Sequence, residues 1–166
     1  FIINPKVNAH ELLASICDDL RIAYPAGATT KILIDCLNTY LVSTLESGRR
    51  TLLIIDEAQN LSIEVLEQLR LLTNLETNQR KLLRIILLSQ PELLETLSKQ
   101  SLRQLSQRIT ARFHLDALNK KEVNDYIAHR LSVAGARGNF FSHSAMDLIY
   151  KLSNGIPRVI NLICDR

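Results

Sequence analysis

Asp56 and Glu57 stand side by side directly after the apolar run Leu52-Leu53-Ile54-Ile55, and Ser89-Gln90 follow a second run, Leu82 to Leu88, interrupted only by Arg84. Short apolar runs without alternation are the pattern of strands buried on both faces of a parallel sheet. In open sheets of that kind ligands bind beyond the carboxyl ends of the strands, so both polar clusters fall where chemistry would be done. Two adjacent carboxylates can divide the labour of phosphoryl transfer. Asp56 would hold a magnesium ion through its water shell, and Glu57 would orient or deprotonate an attacking water. Gln90, or Ser89 beside it, could touch the same water or a terminal phosphate. Acidic residues also favour a helix N-terminus through its dipole, and the pair alone does not choose between the two readings.

Cations supply two further candidates. Arg108 and Arg112 are four residues apart, so a helix through both would put them on one face, as a pair of solvated arginines or as something more. Arg158 follows Pro157 at the start of a helix, where a cation sits badly against the dipole unless it has an anionic partner.

The elements that must position these groups follow from caps and periodicity. Asn8 and Glu11 have capping-box spacing, and Leu12, Leu13, Ile16 and Leu20 then repeat at helical intervals, which predicts a helix from about Ala9 to Ile22. Thr29 or Thr30 caps a second helix that stops at Gly48, and Ser62 opens a third between the two apolar runs. Pro91 suits the first turn of a fourth. The opening residues Phe1 to Asn4 read as one more strand. Strand, helix, strand, helix in this order predicts an α/β fold with a parallel sheet. From Asn119 the pattern is helical only: a capping box at Asn119 and Glu122 opens a helix that stops at Gly135, Ser142 caps the next up to Asn154-Gly155, and Pro157 begins a third. The expected division is therefore 1–116, an α/β core, and 117–166, a small helical lid.

Composition sets the outer limits. With 166 residues, 46% hydrophobic and 22% charged, the chain can bury one substantial core or a core with an appendage. The net charge of +3 comes from scattered Lys and Arg with few aromatics, so nucleic-acid binding is not indicated. Cys17, Cys36 and Cys164 lack metal-ligand spacing and read as buried thiols of a reducing compartment. No apolar stretch approaches the roughly 18 to 20 residues that span a bilayer, and no signal peptide is visible, which points to the cytoplasm. A chain opening on Phe1 in mid-fold reads as an excised piece whose incomplete sheet invites association with another chain.

The string Leu52-Leu53-Ile54-Ile55-Asp56-Glu57-Ala58-Gln59 resembles the Walker B motif of AAA+ ATPases, and three later segments fall in that family's order. Ile86 to Leu93, with Ser89-Gln90, resembles the first sensor strand, Leu105 to Phe113 the segment carrying the arginine finger, and Gly155-Ile156-Pro157-Arg158 the second sensor. The resemblance covers the whole chain. It implies ATP and Mg2+ as cofactors, a parallel-sheet P-loop NTPase core with a helical lid, and catalytic roles for Asp56, Glu57, Gln90 and Arg108. Arg158, Ser89 and Arg112 would contact nucleotide. A finger inserted into a neighbour's site implies self-association into a ring-like oligomer.

One part of that pattern is missing. A phosphate-binding loop needs Gly-x-x-x-x-Gly-Lys followed by Ser or Thr, and the nearest string, Gly27-Ala28-Thr29-Thr30-Lys31, has one glycine and follows a helix. The chain alone is therefore expected not to turn over ATP. Phe1 to Pro5, Asp-Glu-Ala-Gln, Gln-Pro-Glu-Leu, Gln107-Arg108-Ile109 and Gly-Ile-Pro-Arg-Val-Ile-Asn together most resemble the secretion ATPases of the general secretion pathway protein A (ExeA-like) subfamily and its relative in mannose-sensitive haemagglutinin pilus biogenesis. That likeness implies work on a type II secretion or type IV pilus machine at the cytoplasmic face of the inner membrane, with secretion or pilus inner-membrane proteins as partners and membrane attachment only through segments outside these residues. The competing readings are a DNA-directed AAA+ protein of the transposition-helper or origin-recognition type, a helicase, and a non-enzymatic scaffold domain.

Overall fold

Asn8 caps the first helix from both sides: its side chain accepts the Glu11 N–H at 2.9 Å, and the Glu11 carboxylate accepts the Asn8 N–H at 2.8 Å. In this computed structural model, which describes residues 8–77, 80–136, 138 and 140–165, helix α1 runs Ala9–Asp19 and buries Leu12, Leu13, Ile16 and Cys17. It stops short of Ile22 because Arg21 turns left-handed at φ 56°. The Ile22 N–H then returns to the Cys17 carbonyl at 2.8 Å. The strand expected at Phe1 to Asn4 lies outside the described residues.

Thr29 caps helix α2, Thr30–Glu46, which lays Leu33, Leu37 and Leu41 against α1. Cys17 is fully enclosed there, with its Sγ 3.8 Å from the Leu33 carbonyl. Burial pushes its thiol up to about 11, so it is a packing residue and not a nucleophile.

Strands β1, Thr51–Ile55, and β2, Leu83–Leu87, pair in parallel with Leu53 beside Ile85 and Ile55 beside Leu87. The crossover between them contains helix α3, Ile63–Leu72, whose N-terminus is held by the Ser62 hydroxyl accepting the Val65 N–H at 3.2 Å. Helices α1 to α3 share one core with Leu53, Ile55 and Leu83. The other sheet face corrects the expectation of burial on both sides. Leu52, Ile86 and Leu88 remain 51%, 43% and 44% exposed, with Arg84 exposed beside them. An unbroken apolar run states that both faces are fit for burial, and only one of them is covered by the described residues.

Two short helices follow, α4, Glu92–Leu97, and α5, Arg103–Arg108, which add Leu93, Leu97, Leu102 and Leu105 to the same core. The chain separates into two compact units, the first ending at Ala111 and the second beginning at Arg112.

The second unit is helical: α6, Lys120–Val133, α7, His143–Ser153, and α8, Pro157–Cys164. Asn119 and Glu122 form the expected capping box, and the Ser142 hydroxyl accepts the Ala145 N–H at 3.2 Å. Val123, Ile127, Ile149 and Ile160 make its core. Gly155 is the tight point. It lies at φ +74°, and its carbonyl accepts the Leu118 N–H at 2.9 Å. A Cβ there would come within 2.0 Å of the Leu118 carbonyl oxygen. Gly155→Ala must therefore break that seam as well as bear a left-handed side chain, and it is expected to destabilise this unit by about 3 kcal/mol. Gly135 has a similar φ of +80° but open space around it. Gly135→Ala should cost only about 1 kcal/mol, and urea unfolding of the two variants side by side checks the difference.

Candidate functional site

The chain leaves β1 through an abrupt turn. Asp56 is half-buried at the strand end, and its Oδ1 accepts the Glu57 N–H at 2.8 Å. Glu57 is left-handed, at φ 52° and ψ 36°. A non-glycine residue there costs about 1 to 2 kcal/mol and persists only where its surroundings hold it. The surroundings are a 3-10 turn, Ala58–Asn60, in which the Asn60 N–H bonds the Glu57 carbonyl at 3.0 Å. Beyond the sheet proper the two strand ends stay laced: the Leu88 N–H donates to the Ile55 carbonyl at 2.8 Å and the Ala58 N–H to the Leu88 carbonyl at 2.9 Å.

That lacing brings Asp56, Glu57 and Gln90 together at one end of the sheet. Gln90 Nε2 donates to Glu57 Oε2 at 3.4 Å. A nearer donor to the same oxygen is Gln59, whose Nε2 lies 2.5 Å away. The Gln59 side-chain carbonyl in turn accepts the Gln90 backbone N–H at 3.1 Å. Residue types and spacing assign Gln59 no role, although it lies inside the string that carries the resemblance. Its position two residues after Glu57 gives no hint of contact, and only the left-handed turn folds it back. Ser89 is exposed next to Gln90, and among the described residues its hydroxyl makes no hydrogen bond to this cluster.

Arg108 lies elsewhere in the same unit. Its Nη1 donates to the Thr73 hydroxyl at 2.8 Å, and Thr73 is the C-cap of α3. The Glu76–Lys81 ion pair is beside it, and the Lys81 ammonium, with a smaller contribution from Arg108, holds the Glu76 carboxyl below the usual carboxylate range. Glu57 precedes the N-terminus of α3 and Arg108 is tied to its C-terminus. The ten-residue helix therefore separates them by about 15 Å.

The conditional pairing of Arg108 with Arg112 on one helical face does not occur. Helix α5 ends at Arg108, and Ile109 is extended at φ −74° and ψ 105°. Ile109 packs against the core in that extended form, while residues 110–117 are exposed and offer no buried stripe to repay continued helix. Arg112 belongs to the second unit. So does Arg158, which follows Pro157 in the first turn of α8 and is exposed, with no carboxylate in salt-bridge reach among the described residues.

A parallel strand–helix–strand unit with a carboxylate pair at one strand end and an amide at the next, followed by a helical unit, is the frame of an α/β core of the AAA+ type. A family model described as an AAA domain matches residues 2–97, and the chain belongs to that family. Among individual proteins it is similar to the general secretion pathway protein A of Aeromonas hydrophila, 48% identical over 166 residues. Those residues are 100% of this chain and 30% of that protein, so the chain spans under a third of its relative's length. No helix among the described residues is long and apolar enough to cross a membrane.

Proposed function

We propose that this chain is the water-activating part of an ATPase module that couples ATP hydrolysis to assembly of a type II secretion or type IV pilus envelope machine. The observation that carries the reading is the Glu57 carboxylate, held by amides at the joined ends of β1 and β2 in a chain of the AAA family. In this reading Asp56-Glu57 is the Walker B pair. Glu57 orients the attacking water and accepts its proton, and Gln90 senses the phosphate end of the site. The 48% identity to a general secretion pathway protein supports the choice of machine.

The donor set fits a magnesium ion in part. A magnesium ion takes one or two carboxylates and otherwise water and phosphate oxygens. Asp56 uses Oδ1 for the Glu57 N–H and keeps Oδ2 for such a water shell. Bound there, Mg2+ would neutralise charge on the phosphates. The phosphate cradle does not fit any described residue, since no glycine-rich loop with lysine is present. Phosphate grip belongs to other residues of the complete protein.

Arg108 serves a neighbouring subunit, because its own Glu57 is a helix length away, and this requires a ring-like oligomer. The helical unit acts as the lid, with Arg158 and Arg112 as its nucleotide contacts. The test is ATP turnover by this 166-residue chain and by the complete protein in parallel. Turnover by the complete protein alone supports the assignment. An inert complete protein, with and without membranes, replaces it with a scaffold role.

A further inference from the structure

A carboxylate that orients water needs one oxygen fixed and the other open. Glu57 has this arrangement: Oε2 receives the amides of Gln59 and Gln90 at 2.5 and 3.4 Å, and Oε1 accepts no hydrogen bond from the described residues. The nearer of the two donors is Gln59. We propose that Gln59 is a positioning residue that sets the orientation of the Glu57 carboxylate and makes it depend on the position of the β2 end; this rests on the hydrolysis reading above.

The second half of the proposal comes from the other end of the same side chain. The Gln59 carbonyl accepts the Gln90 backbone N–H at 3.1 Å, so one amide bridges the β2 end and the carboxylate. Gln90 reaches Glu57 directly only through a long 3.4 Å contact. The tighter route runs through Gln59, and any displacement of Gln90 moves the group that aims Glu57. Closing the turn is a role Gln59 does not need to fill. The turn has its own backbone bonds, Asn60 N–H to the Glu57 carbonyl at 3.0 Å, Leu61 N–H to the Ala58 carbonyl at 3.2 Å and Ala58 N–H to the Leu88 carbonyl at 2.9 Å.

The experiment is steady-state ATP hydrolysis by the complete protein carrying Gln59→Leu or Gln59→Glu, each alone and combined with Glu57→Gln. Gln59→Leu removes both amide contacts. Gln59→Glu keeps an acceptor for the Gln90 N–H but sets a second carboxylate against Glu57. The expected result is a kcat lower by about 10- to 100-fold in both, more in the glutamate variant, with KM for ATP changed less than about twofold. In the Glu57→Gln background neither substitution should cost more than about a further twofold, since the group it positions is gone. A full loss in that background, a rise in KM in place of a fall in kcat, or unchanged kcat overturns the proposal while leaving the role of Glu57 intact. If Glu57→Gln alone leaves turnover unchanged, the hydrolysis reading and this proposal fall together.

Discussion

Glu57→Gln in the complete protein is expected to lower ATP turnover by about 100- to 10,000-fold while nucleotide affinity and thermal stability stay as they are. The substitution keeps side-chain length and leaves the turn bonds untouched, because those run through the Asp56 carboxylate and the backbone. What disappears is the charge and basicity of one group at the strand end. The substituted amide could still turn its oxygen toward Gln59, so a purely structural role for Glu57 would survive the change almost unaltered. Rate separates the two: hydrolysis measured at saturating ATP, with binding of a non-hydrolysable analogue measured in parallel. Unchanged turnover would return Asp56 and Glu57 to the role of residues that suit a helix N-terminus.

Arg108→Ala should be as damaging, with turnover down by about 1,000- to 100,000-fold if the guanidinium stabilises the transferring phosphoryl group. Its placement makes a sharper test possible. Arg108 is anchored at Thr73, at the opposite end of α3 from Glu57, so within one chain the two groups do not share a site. Mixing Arg108→Ala subunits with Glu57→Gln subunits then creates interfaces where an intact Glu57 meets an intact Arg108. Activity should reappear in the mixture although each preparation is inert alone. A mixture no more active than its parts would make Arg108 a surface arginine bonded to Thr73. Loss of the oligomer on sizing would show an interface role in place of a chemical one.

Much of this arrangement was legible from the residues because the signals are local. Asn8, Ser62, Asn119 and Ser142 each accept the N–H three residues on, and such a cap is written in one or two side chains. The strands and the carboxylate pair were legible for the same reason: an apolar run ending in charge has few other uses. What escaped depends on partners distant in sequence. The open face at Leu52 and Ile86 could not be read, since hydrophobicity reports fitness for burial and not the presence of a cover. Gln59 escaped because its contact with Gln90 spans 31 residues and a left-handed turn. The premature end of α1 has the same origin, a left-handed Arg21 that nothing in its residue type announces.

The left-handed backbone at Glu57 sets stability against activity at a single codon. Glycine accepts that conformation without the steric cost a Cβ brings, so Glu57→Gly would relieve strain at the position where the carboxylate is needed. A library ranked by melting temperature would drift toward glycine at this position and discard the group that handles water. Ranked by turnover, the same library would keep glutamate and accept a less stable turn. Thermostabilising this module by selection therefore requires Glu57 to be held fixed, with the gain sought where no carboxylate is at stake.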